Sequence, residues 1–162
     1  MSHGQCTDRE TALGLMAVAK ISTSNHEWVS KPSNAAFMVI NIRPEDAADD
    51  LGGYLPGMLV LIEYKMPVRI QEDKYIFTLF KQEPGRLLRA YQLEVVPLTR
   101  KSSNQNGVAI YGPHEHIGPG AEALGELHQL TDFDGWLAVF CAKVNLVLTN
   151  PIQNPYVFTL TS

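Results

Sequence analysis

From Ala35 to Leu98 one apolar segment follows another, with turn residues rather than long helices between them. This succession constrains the fold more than any other feature. Strands joined by short turns pair antiparallel, because parallel neighbours need a crossover of a dozen residues or more. Phe37-Met38-Val39-Ile40-Asn41-Ile42 reads as a strand within 35–43, apolar on both faces near its middle. Met58 to Tyr64 reads as the next, with Val68-Arg69-Ile70 continuing it after Pro67. Tyr75 to Phe80 follows, and the turn signal Glu83-Pro84-Gly85 pairs it with Leu87 to Leu98.

Helices flank this run. Thr7-Asp8-Arg9-Glu10 has the form of a capping box with Thr7 as N-cap, predicting a helix from Asp8 to Lys20. Thr131-Asp132-Phe133-Asp134 begins a second helix, whose apolar stripe is Trp136, Leu137, Phe140, Cys141 and Val144. Pro44 to Asp50 suggests a short acidic helical turn, and Ala121 to Leu130 either helix or irregular chain. Leu146–Leu148 and Tyr156–Phe158 suggest short terminal strands. The expected class is α+β: a largely antiparallel sheet with an N-terminal and a C-terminal helix packed on one face. All 162 residues are expected to form a single domain, with residues 1–6 as a tail.

Composition excludes several function classes. The longest apolar run, Met58 to Ile62, is far too short to cross a bilayer, and the first residues lack the basic start and apolar stretch of a signal peptide. The expected location is cytoplasmic, without membrane contact. Cys6 and Cys141 make neither a disulfide framework nor a thiolate zinc site. No glycine-rich phosphate loop and no regular βαβ alternation are present. The net charge of −4 argues against a general nucleic-acid binder, but the charge is uneven. The span from Lys65 to Lys101 holds eight basic and four acidic residues. Such a span either covers the solvent side of strands or presents a phosphate-binding face.

The residues richest in chemistry are Tyr111-Gly112-Pro113-His114-Glu115-His116. On a strand, His114 and His116 project to the same side, roughly 6–7 Å apart. Two such imidazoles can share acid and base duties or bind a metal. In the first case they cleave a phosphodiester without metal or cofactor. His114 and His116 then act as base and acid, Tyr111 contacts substrate, and a cation from Arg89 or Lys101 (Arg69 and Arg100 being further candidates) stabilises the charge on phosphorus. In the second case His128, Glu122 or Glu126 completes a ligand set for zinc, iron or nickel. The His-x-His order with a later Glu is similar to the first cupin motif, but Gly107 and Glu122 stand too far from the pair and no second motif follows. A third reading needs no chemistry: the acidic cluster Glu45, Asp46, Asp49 and Asp50 mimics phosphate towards a basic partner.

Several of these features occur together: Thr-x-x-Glu at the first helix, Leu87-Leu88-Arg89, Asn104 to Gly107, Gly112-Pro113-His114-x-His116, and Phe140-Cys141 followed by Asn145. In these the chain resembles a family of small, uncharacterised bacterial and phage proteins with an Asn-x-x-Gly…Gly-Pro-His-x-His signature. The resemblance is strong only from Leu87 to Asn145. It departs from the family at Arg100 to Ser103, where members carry a further His or an Asn-rich stretch. By analogy the chain is also similar to ribonuclease toxins of toxin–antitoxin modules. The expected function is therefore a small toxin-like endoribonuclease acting on RNA, with an antitoxin as a further partner. The alternatives are a noncatalytic, anti-CRISPR-like inhibitor of a host defence complex encoded by a phage or mobile element, and a His-x-His metal-binding enzyme. The oligomeric state is left open.

Overall fold

A computed structural model describes residues 5–49, 51–65 and 74–155. In chain order the elements are α1 (Arg9–Ala17), β1 (Lys20–Ser22), β2 (Val29–Lys31), β3 (Asn34–Ile42), β4 (Glu45–Asp46), β5 (Met58–Lys65), β6 (Lys74–Glu83) and β7 (Arg86–Val95). There follow β8 (Lys101–Gln105), β9 (Val108–Tyr111), β10 (His114–Ile117), β11 (Gly120–Ala123), α2 (Phe133–Val144) and β12 (Leu146–Leu148).

The main sheet has seven strands in the order β11-β10-β7-β6-β5-β3-β2, with every neighbouring pair antiparallel. Alternation sorts its side chains. Met38, Ile40, Ile42, Val60, Ile62, Tyr64, Tyr75, Phe77, Leu79, Tyr91, Leu93 and Val95 are buried together with Phe133, Trp136 and Phe140 of α2 and Ala12 and Met16 of α1. Phe77 stacks on Phe140 and on Phe133 at 5.5 and 5.8 Å between ring centroids, which fastens α2 to the middle of the sheet. The fold is thus the expected α+β arrangement, with both helices on the apolar face. The opposite face carries Glu63, Thr78, Gln92, Glu94, His114 and His116, placed there by the same ladders.

Local details differ from expectation. The helix N-cap is Asp8 rather than Thr7: its Oδ1 accepts from the Thr11 amide at 2.7 Å, while Thr7 is buried against the sheet edge with its amide donating to Arg89. The helix ends at Ala17, and Lys20 belongs to a strand. Ile21 and its neighbours gain more by pairing in parallel with β12 than by another helical turn. Residues 44–49 form β4 and a turn, not a helical turn, because Asp46 and Asp49 accept from the amides of Ala48 and Leu51 and so compete with helical bonding. Ala121 to Leu130 contributes β11 and irregular chain. Asp50, the Val68–Ile70 continuation and the Tyr156–Phe158 strand lie outside the described residues.

A second, three-stranded sheet of β12-β1-β4 ties the ends of the two helices together. Lys20 has no exposed surface. Its Nζ donates to the carbonyls of Leu15, Val18 and Val144 at 2.6, 2.7 and 2.7 Å, and lies 3.4 Å from that of Met16. These oxygens belong to the last turns of α1 and α2, where the helix dipoles favour a cation. Burial lowers the ammonium to about 8, so it stays largely charged at neutral pH. Asn145 completes the clasp in a left-handed cap conformation, donating from Nδ2 to Ala17 O at 3.0 Å. Replacing Lys20 by Met keeps the length of the side chain but strips these carbonyls of their donor. Lys20→Met is expected to lower stability by about 3 kcal/mol, read from urea denaturation. A loss below about 0.5 kcal/mol would show that water or a backbone shift takes over the capping.

Candidate metal centre

The polar face of the sheet concentrates its chemistry where β7 meets β10. Gly112 sets up this meeting. Its φ of +72° is closed to most side chains, and a Cβ there would come within 3.0 Å of Leu98 Cα. Only glycine lets the chain leave β9, pass Pro113 and enter β10 beside β7. The ladder then places His114 opposite Glu94 and His116 opposite Gln92. His114 is fully buried and His116 is 9% exposed.

The hydrogen bonds around His114 orient its ring. Nδ1 lies 2.9 Å from Ser102 Oγ and 3.1 Å from Gly112 O. The Ser102 hydroxyl proton is drawn to the carbonyls of Gly112 and Ile110, at 3.0 and 3.3 Å. Nδ1 therefore lies among acceptors and carries a ring proton, and Nε2 is the nitrogen turned towards Glu94. Nε2 has no hydrogen-bond partner, although it is buried and sits 3.2 Å from Glu94 Oε2. A buried imidazole nitrogen and a carboxylate this close call for a proton or a metal cation between them. Two donors bound to one ion at about 2.1 Å each, in tetrahedral or octahedral geometry, sit about 3.0–3.4 Å apart. The observed separation falls in that range.

His116 supplies the third donor. Its ring centroid is 4.9 Å from that of His114, and one ligand atom from each of Glu94, His114 and His116 falls within 4.8 Å of the others. The second oxygen of Glu94 is held by Lys74 Nζ at 2.6 Å. Burial works to raise the Glu94 carboxyl, but His114 and Lys74 outweigh it and hold it at about 2. Burial, with Arg89 and His114 nearby, pushes His116 down to about 4. At neutral pH His116 is thus neutral and Glu94 ionised, the protonation states in which such groups ligate metals.

The other anticipated residues are distributed differently. Lys101 and Tyr111 face each other as a registered pair across the β8–β9 hairpin, both exposed; the hairpin side chain that reaches His114 is Ser102. Arg89 lies on β7 and contributes positive charge near His116. Of the other cations of the basic span, Lys74 reaches the site through Glu94, Lys81 and Arg86 both pair with Glu83, Arg100 is exposed, and Arg69 lies outside the described residues. The ligands anticipated from downstream sequence are not at the site. Glu122 sits opposite Glu115, which puts it on the other face of the sheet from the histidines. His128 pairs with Asp132 at 3.3 Å beside Trp136, and Glu126 shares a small cavity with it. The acidic cluster is engaged locally, through Asp46 and Asp49 to backbone amides and Glu45 to Thr23 at 3.2 Å. Sequence reasoning missed Glu94 as a ligand and Ser102 as its neighbour's support. Only the pairing of β7 with β10 identifies them, and no local motif announces it.

No protein-family model matches the chain, and neither curated proteins nor solved structures give a match.

In the metal-free protein, His116 should stay neutral from pH 8 to pH 5 and gain a proton only near pH 4. The unfolded chain binds that proton near 6.5, so it holds more protons than the folded chain between those values, and stability should fall as pH drops through this window. Histidine NMR titration with parallel denaturation checks both. A His116 midpoint at or above 6.5 would contradict its buried, cation-flanked setting.

Proposed function

We propose that the chain is a metal-dependent enzyme whose centre is Glu94, His114 and His116. The observation that carries this reading is the convergence of one ligand atom each from Glu94, His114 and His116 within 4.8 Å of one another, with the buried Nε2 of His114 turned to the Glu94 carboxylate. Two imidazole nitrogens and one carboxylate form a borderline donor set, suited to zinc, iron, nickel or cobalt rather than to magnesium or calcium. Three protein ligands leave further positions on such an ion for water and substrate, where the metal acts as a Lewis acid or activates a bound molecule. The bond from His114 Nδ1 towards Gly112 and Ser102 is the outer support that orients a ligating imidazole, and the Lys74 contact leaves Glu94 one oxygen for the ion.

The metal-free ribonuclease reading draws less support. It asks each histidine to touch the phosphodiester, and the His114 ring offers no exposed surface to a polymer. An enclosed centre suits a small substrate instead.

Demetallated protein titrated with zinc or ferrous iron should take up about one ion per chain, measured by elemental analysis after desalting. His114→Ala, His116→Ala and Glu94→Gln should each weaken binding by about 100-fold or more, and Ser102→Ala by about tenfold. Glu122→Gln, on the opposite face, should bind as the parent does. Uptake no greater than in the double variant His114→Ala/His116→Ala would overturn the reading.

A further inference from the structure

Arg89 occupies a position that simple alternation would deny it. On β7 the residues Tyr91, Leu93 and Val95 face the apolar core, while Gln92 and Glu94 face the other way. Counting back by twos, Arg89 belongs with Tyr91, where a guanidinium would sit on the core face beside Leu79. The ladder with β6 slips instead. Leu79 is opposite Tyr91, Phe80 is opposite Arg89, and Ala90 is left as an extra residue. Phe80 follows core-facing Leu79, so it points to the polar face, and Arg89 opposite it does too. A bulge of this kind re-aims a side chain, here onto the face that carries His116 and Glu94. The N-terminal segment pins it, with Thr7 N donating to Arg89 O and Arg89 N to Gln5 O, each at 2.9 Å.

The re-aimed side chain is incompletely paired: it feels the Glu94 carboxylate and bonds to Cys6, but makes no close ion pair among the described residues. Its Nε is buried without a hydrogen-bond partner, and among the described residues Arg89 forms no ion pair. The groups beside it are the Cys6 thiol, His116 and Glu94. Glu94 is already engaged, with one oxygen on Lys74 and the other directed to the metal position. With a divalent ion in place, the ion, Lys74 and Arg89 are positive and Glu94 alone is negative. Such an imbalance in a partly buried site is costly until an anion enters.

We propose that Arg89 receives the carboxylate of a small organic acid whose other end occupies an open position of the metal. This rests on the metal reading of Glu94, His114 and His116. A guanidinium matches a planar carboxylate in shape and charge. The burial of both histidines favours a small acid over the phosphates of a nucleic acid.

The test is calorimetric titration of malonate into the zinc-loaded full-length chain, with acetate as an anion able to fill only one of the two positions. Zinc affinity is measured separately for each protein. Malonate should bind at least about tenfold more tightly than acetate, and Arg89→Gln should remove about tenfold of malonate affinity while keeping or improving zinc affinity. Arg89→Lys, which retains the charge but not the fork, should fall between the two. Malonate binding by Arg89→Gln equal to that of the parent, or no preference for malonate over acetate, would overturn the proposal and leave the metal centre standing. Loss of zinc and malonate together in both variants would make Arg89 a structural residue and also overturn it. Failure of the parent to bind zinc would overturn the metal reading and this inference with it.

Discussion

The pairing of β7 with β10 is the interaction on which the site depends. It places His114 against Glu94 and His116 against Gln92, so three donors separated by up to 22 positions in sequence meet on one face. A shift of this register by one residue would turn the histidines into the aromatic core and bring Glu115 out, because side chains alternate strictly along a strand. Glu115 shows what that core face demands of a charged group: its Oε2 accepts from Tyr91 OH at 2.7 Å and lies 3.5 Å from Lys143 Nζ. The same short strand therefore carries a structural carboxylate on one side and the candidate ligands on the other.

The two faces of the sheet divide the labour. The apolar face holds Phe77, Tyr75 and Tyr91 against Phe133 and Phe140, and this burial supplies most of the driving force for folding. Stability drawn from that side lets the other side carry groups that cost free energy to bury: two imidazoles against a carboxylate, and a guanidinium whose Nε has no hydrogen-bond partner. Rigid ladders also hold these groups more closely than loops would, which is what a metal centre needs from its scaffold.

Much of the architecture is legible in the residues themselves. The strands from Phe37 to Val95, the Glu83-Pro84-Gly85 hairpin and the second helix all follow from periodicity and turn chemistry, which are local properties. The elements that local pattern misplaces are those whose state depends on distant partners. Lys20 reads as the tail of a helix, yet it is a strand residue because Leu146 lies beside it and carbonyls from two helices surround its ammonium. Thr7 reads as a cap, yet it is drawn to Arg89 at the sheet edge and leaves the capping to Asp8.

The sequence by itself determined the α+β class and the order of the strands along the chain, and it singled out His114 and His116 as candidates, because hydrophobic period, turn residues and residue chemistry are carried by neighbours. Only the tertiary structure decided that Glu94 joins them, that Ser102 rather than Lys101 or Tyr111 touches His114, and that a bulge at Ala90 brings Arg89 to the same face. Register and bulges arise from pairing between strands far apart in sequence, and a one-residue difference in either moves a side chain to the opposite face of the sheet.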